Sequence, residues 1–167
     1  MNKSDKFIEI SRVDLANRIF FKLYQCANMM HKTGTRAVQD EGITTQQWAV
    51  LGALSRAEAK GGVSMGELAS YLKVTRQTLA GLVSRMERDG LVDIQTDMND
   101  RRSRLVILSE SGRHVWIDLA LPKIRTFYEQ VLKEFSTSDM AHTLHYMLKL
   151  LDNMEKIDLQ NTEEEAA

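Results

Sequence analysis

Arg101, Arg102 and Arg104 place three guanidinium groups within four positions, directly behind the polar run Asp97-Met98-Asn99-Asp100. On a mobile turn such a cluster suits phosphates, or the minor groove of a duplex, where negative potential is concentrated. Taken alone it is better read as a solvated charged turn. Asp100 would not approach DNA favourably, so its expected part is to pair with an arginine and orient it. A second set just upstream decides for recognition. From Thr75 onward, Leu79, Leu82, Val83 and Met86 recur at helical spacing and predict an inward face. The opposite face then carries Thr75, Arg76, Gln77, Thr78, Gly81, Ser84 and Arg85. Arginine and glutamine fit guanine and adenine edges, and the hydroxyls suit phosphates or either base. Gly81 lets the backbone approach closely.

Other residues invite chemistry of different kinds. Arg18, His31, Lys32 and Arg36 are cations near Tyr24, Met29, Met30 and Trp48. One or two cations beside apolar walls are what a pocket for a small carboxylate needs. Each of these residues alone is better read as core or as a solvated side chain. Cys26 lies on an apolar helix face and reads as buried, inert packing. His142 and His145, spaced i,i+3 with Asp139 nearby, lack a convincing third ligand, so no metal site is expected. No phosphate-cradling glycine loop, nucleophile elbow or positioned Ser/His/Asp set occurs. Ser111-Gly112-Arg113-His114 reads as a helix start. Neither a cofactor nor an enzymatic activity is expected.

The elements that must position these residues are mainly helical. One proline and nine glycines in 167 residues favour long helices. Ser11 with Asp14 predicts a helix start, followed by Ile19, Phe20, Leu23, Tyr24, Ala27 and Met30 at 3–4 residue spacing, running to about Gln39. Thr44 with Gln47 opens a second helix, Ser64 with Glu67 a short third, and Thr75 a fourth that Asp89-Gly90 stops. The period then switches. Val92–Asp97 alternates, and Arg104–Leu108 reads as the returning strand of a hairpin with a charged tip. Ser109 caps a long helix in which Pro122 is expected to make a kink. A last helix follows Ser136-Thr137-Ser138, and the acidic residues from about 158 are expected to fray. The fold class is thus mainly α with a small β-hairpin wing. Expected boundaries are an N-terminal helix over 1–40, a winged helix-turn-helix over 41–109, C-terminal helices over 110–157 and a tail over 158–167.

Composition sets limits. The chain is 43% hydrophobic and 27% charged, as expected of a globular protein with a real core. The longest apolar run, Trp48–Leu54, is far too short for a membrane span, and the N-terminus has no signal-peptide core. With one cysteine there is no internal disulfide, and the cytoplasm is the expected compartment. The net charge of −1 is unevenly spread. Residues 1–60 hold nine Lys/Arg against six Asp/Glu, residues 61–109 seven against six, and residues 110–167 six against eleven. Acidity is confined to the C-terminal part, so global charge does not exclude a nucleic-acid partner.

The stretch from Val63 to Gly112 resembles the MarR family of transcriptional regulators. The wing signature stands here as Asp100-Arg101-Arg102-Ser103-Arg104-Leu105, followed by Val106-Ile107-Leu108-Ser109-Glu110-Ser111-Gly112. Leu68-Ala69 through Arg85-Met86-Glu87-Arg88-Asp89-Gly90-Leu91-Val92 matches the helix-turn-helix part, and the terminal helices fit as well. The resemblance implies a homodimer on a palindromic operator in double-stranded DNA, interlocked through its first and last helices. It also implies a repressor of aromatic-compound genes, released by a small aromatic acid or its thioester bound between the helical and winged parts. Alternatives are redox or metal sensing, or, in another class, a helical interaction module or small enzyme without DNA binding. The organic-peroxide-sensing branch places its cysteine before a Leu-Tyr pair, whereas Phe20 takes that place when Leu23-Tyr24 is lined up.

Overall fold

The computed structural model describes residues 11–56, 61–98 and 103–165. The chain divides into two compact units, Met1–Phe127 and Tyr128–Ala167. Helix α1 (Arg12–Ala37) starts where the Ser11 hydroxyl accepts the Asp14 N–H, and it ends in a short 3-10 turn at Gln39–Glu41. Gly42, at φ 69°, turns the chain into α2 (Thr45–Leu54). The expected reciprocal capping boxes form at both following helices. Thr44 and Gln47 open α2, and Ser64 and Glu67 open α3 (Met65–Leu72). Each box satisfies two N–H groups that a helix start otherwise leaves bare. Lys73, in left-handed backbone, ends α3, and Thr75 caps α4 (Arg76–Arg88) through the Thr78 N–H.

The wing follows as β2 (Val92–Thr96) and β3 (Arg104–Leu108), paired antiparallel from Val92↔Leu108 to Thr96↔Arg104. The expected hairpin is therefore present, with one addition. A two-residue strand, β1 (Val63–Ser64), pairs with the other edge of β3 and makes a three-stranded sheet in the order β1-β3-β2. Two residues carry no readable alternation, so this strand leaves no sequence signal.

Leu79, Val83 and Met86 of α4 are almost fully buried among Leu51, Leu68, Val92 and Val106. The base of the wing is locked to the next helix, α5 (Glu110–His114). The Ser109 hydroxyl donates to Gly90 C=O at 2.6 Å and accepts the Gly112 N–H at 2.8 Å. Gly112 itself abuts the backbone of Leu91. A Cβ there would collide with the Leu91 carbonyl oxygen.

Two expectations are corrected and one is refined. The long helix expected after Ser109 is contiguous, with a π-helical turn (Val115–Ala120) inserted between α5 and α6 (Leu121–Val131). Pro122 has no N–H to give, and the irregularity lies in the wide turn just before it. The tail does not fray at 158, since α7 (Thr137–Glu165) continues through it. Leu159, Gln160 and Glu163–Glu165 are good helix formers, and no glycine or proline stops them. Cys26, expected to be buried, is exposed, as are the neighbouring apolar residues Tyr24, Met29 and Met30 of α1.

Two outcomes follow for stability. Gly112→Ala drives a methyl into the Leu91 backbone and is expected to cost about 1–3 kcal/mol or more in denaturant unfolding. The Glu67 carboxyl is held below its ordinary value of 4.5, first by the Ser64 hydroxyl and then by the Ser64 N–H. A lowered carboxyl stabilises the fold above its unfolded value and loses that contribution as pH falls through the folded one. Thermal melts of Glu67→Gln should therefore show a smaller loss of stability below pH 4.5 than melts of the wild type.

Candidate nucleic-acid interface

With its apolar stripe buried, α4 turns one polar face outward. Thr75, Arg76, Gln77, Thr78, Gly81, Ser84 and Arg85 are all exposed. The helix holds three arginines against one glutamate, and Arg88 is near the carboxylate of Asp89 at 3.8 Å. The Thr75 and Thr78 hydroxyls are 2.9 Å apart, so both are occupied in part by the helix start. A Cβ on Gly81 would meet nothing within 4 Å, which leaves that place open to an approaching surface. Arg76 is exposed with the rest of this face. Its guanidinium turns back against Gly66 in the first turn of α3.

At the far end of the wing, the Asp97 N–H donates to Ser103 C=O at 3.0 Å and closes the hairpin. Arg104 is exposed at the start of β3, beside an almost fully exposed Met98. Arg101, Arg102 and Asp100 lie outside the described residues.

The residues expected to form an effector pocket are strung along one helix. Arg18, Tyr24, Met29, Met30, His31, Lys32 and Arg36 are all on α1 and exposed, while Trp48 is buried on α2. Arg18 and Lys32 are fourteen residues apart, about 21 Å of helix, so one chain does not close both around one small acid. His31 and Trp48 instead build the joint between α1 and α2. His31 Nδ1 meets Thr45 Oγ1 at 2.6 Å. A Cβ on Gly34 would stand 2.7 Å from Thr45 and 3.2 Å from Trp48. Trp48 makes an edge contact with Phe127, with ring centroids 6.1 Å apart. Lys123 of α6, unremarked in the sequence, ties in the same region. It reaches Glu41 at 2.8 Å and Asp40 at 3.3 Å, and these contacts, Glu41 first, raise its pKa.

A notch that sequence reasoning missed lies beside α4. Its volume is about 140 Å³, and its lining is mostly apolar: Gln46 and Ala49 of α2, Leu72 and Val74 at the turn, and Thr78, Leu79, Leu82 and Arg85 of α4. No local pattern reveals it, because three separate stretches contribute. Among the described residues there is no cluster of three or more His, Cys, Asp or Glu able to hold a metal. Asp139 is engaged with the Ser136 hydroxyl and N–H, which lower its pKa, and His145 packs on Tyr146. Nor is any helix of the described residues long and apolar enough to cross a membrane.

Fold and surface together define a winged helix-turn-helix protein. Residues 41–103 match the model of the MarR family. Over 148 residues the chain is 64% identical to the transcriptional activatory protein BadR of Rhodopseudomonas palustris, covering 89% of this chain and 85% of that one. The homoprotocatechuate degradative operon repressor of Escherichia coli is 28% identical over 110 residues, 66% of this chain and 72% of its own length. Among solved structures, the Mycobacterium tuberculosis regulator MosR in complex with DNA superposes with a TM-score of 0.70. It is 26% identical, over 81% of this chain and 95% of that one. The chain belongs to the MarR family and is a transcriptional regulator.

Proposed function

We propose that this protein binds a palindromic operator in double-stranded DNA as a homodimer and responds there to a small aromatic acid or its thioester. The observation that carries the DNA reading is the outward face of α4, exposed along its whole length while the opposite face is buried. In this reading Gln77, Gly81, Ser84 and Arg85 meet base edges. Thr75, Thr78 and the wing arginines Arg101, Arg102 and Arg104 meet the backbone or minor groove. The DNA complex of the structural relative supports it.

Dimerisation is supported by the apolar residues that α1 and α7 leave uncovered. Phe20, Phe21 and Tyr24 on α1 are more than half exposed, as are Leu144, Met147 and Leu148 on α7. Apolar surface on this scale marks an interface. A second copy of the chain offers the same surfaces, and a palindromic operator needs a twofold partner.

The effector class is supported by the relative named for a homoprotocatechuate degradative operon. The notch beside α4 offers a place for it. An apolar cavity of roughly 150 Å³ accommodates benzene, and Arg85 lines the wall as partner for a carboxylate. An acid seated there engages a side chain that DNA also needs, so effector and operator compete through differential binding. The name of the 64% identical relative supports activation, and that of the 28% identical relative supports repression. The higher identity weighs for activation, in place of the repression implied by family resemblance.

Two measurements test this reading. In salt-dependent mobility shifts on DNA upstream of its own gene, Arg104→Ala should weaken binding and lower the log–log salt slope by about 0.9 per lost phosphate contact. An unchanged slope would remove the wing from the interface. Ala49→Phe fills the notch, so it should keep operator affinity and lose the response to a panel of aromatic acids. A full response in that variant would move the effector site elsewhere.

A further inference from the structure

Arg76 is the first residue of α4, and its exposure on the outer face makes it look like a reader of guanine. Its head group is placed for another task. A Cβ built on Gly66 would stand 3.0 Å from Arg76 Nη2, 3.5 Å from Cζ and 3.6 Å from Nε. The guanidinium therefore covers the bare side of Gly66, across the first turn of α3. No carboxylate of the described residues holds it there. Glu67, the nearest acid in sequence to that seat, is committed to Ser64, at 3.0 Å from the N–H and 2.7 Å from the hydroxyl oxygen.

From this seat the geometry points to Arg76 as a phosphate clamp at the groove edge, not a base reader, with Gly66 as the positioning residue that leaves room for it. The inference rests on the DNA-binding reading above. When a helix-turn-helix docks, its second helix enters the major groove while its first crosses the sugar-phosphate backbone. Here α3 is that first helix. A cation lying on its first turn stands over the strand, and a guanidinium fork matches two phosphate oxygens. Gln77, Ser84 and Arg85, farther along the outer face, remain available to the groove floor. Phosphate contacts fix register and affinity without reading sequence. Glycine at position 66 leaves this seat open, whereas a Cβ there would come within 3.0 Å of Nη2 and shift the guanidinium outward.

The test uses the full-length protein and a duplex selected from a random-sequence pool, with every single-base variant of that duplex titrated over a range of salt. For Arg76→Ala, affinity should fall roughly tenfold and by the same factor on every duplex. The salt slope should drop by about 0.9 per subunit. Arg76→Lys keeps the charge and should keep most of the slope. Gly66→Ala should show the Arg76→Ala pattern at smaller amplitude. Circular dichroism melts confirm folding, and if Arg76→Ala is unfolded, the lysine and Gly66 variants still decide. A preference lost at one base pair with an unchanged slope would overturn the clamp. A wild-type protein that binds all duplexes equally would instead overturn the regulator reading, and this assignment with it.

Discussion

Three side chains on successive turns, Leu79, Val83 and Met86, decide which face of α4 meets the outside. All three are at most 1% exposed, and no rotation of the helix keeps them buried while turning the polar face inward. Their burial fixes the helix against α2, α3 and the sheet, so the polar residues are displayed as a rigid set. The wing obeys the same constraint, since Val92 and Val106 share that core and the Gly112–Leu91 contact admits only a glycine at the wing's base. A site built on such elements is held more accurately than one on a loop.

Much of this architecture was legible because its signals are local. The Thr44–Gln47 and Ser64–Glu67 boxes and the caps at Ser11, Thr75 and Ser109 each lie within four residues of chain, and all formed. The change from helical to alternating period at Val92 located the hairpin. What stayed hidden depends on contacts distant in sequence or on short elements. Strand β1 exists only because β3 pairs with it. The π-helical turn before Pro122 accommodates a missing donor, and a periodicity argument does not distinguish that from a kink.

The candidate site divides along the same line. The outward face of α4 follows from the spacing of its apolar residues and was read correctly as exposed. The direction taken by Arg76 does not follow, because it depends on the turn at Lys73 and on a missing side chain ten residues earlier. The residues expected to form an effector pocket are near in sequence, and helical rise spreads all but Trp48 of them along α1. The notch, by contrast, gathers residues from 46 to 85. Arg85 belongs both to its lining and to the outward face of α4.

The claim on which the rest stands is that the outer face of α4 reads the major groove twice, once from each subunit. Guanine N7 lies on the floor of that groove, so methylation interference on the selected duplex addresses the claim directly. The expected result is two patches of interfering guanines centred about 10 base pairs apart, one helical turn. Binding indifferent to N7 methylation, or interference confined to minor-groove positions, would contradict it.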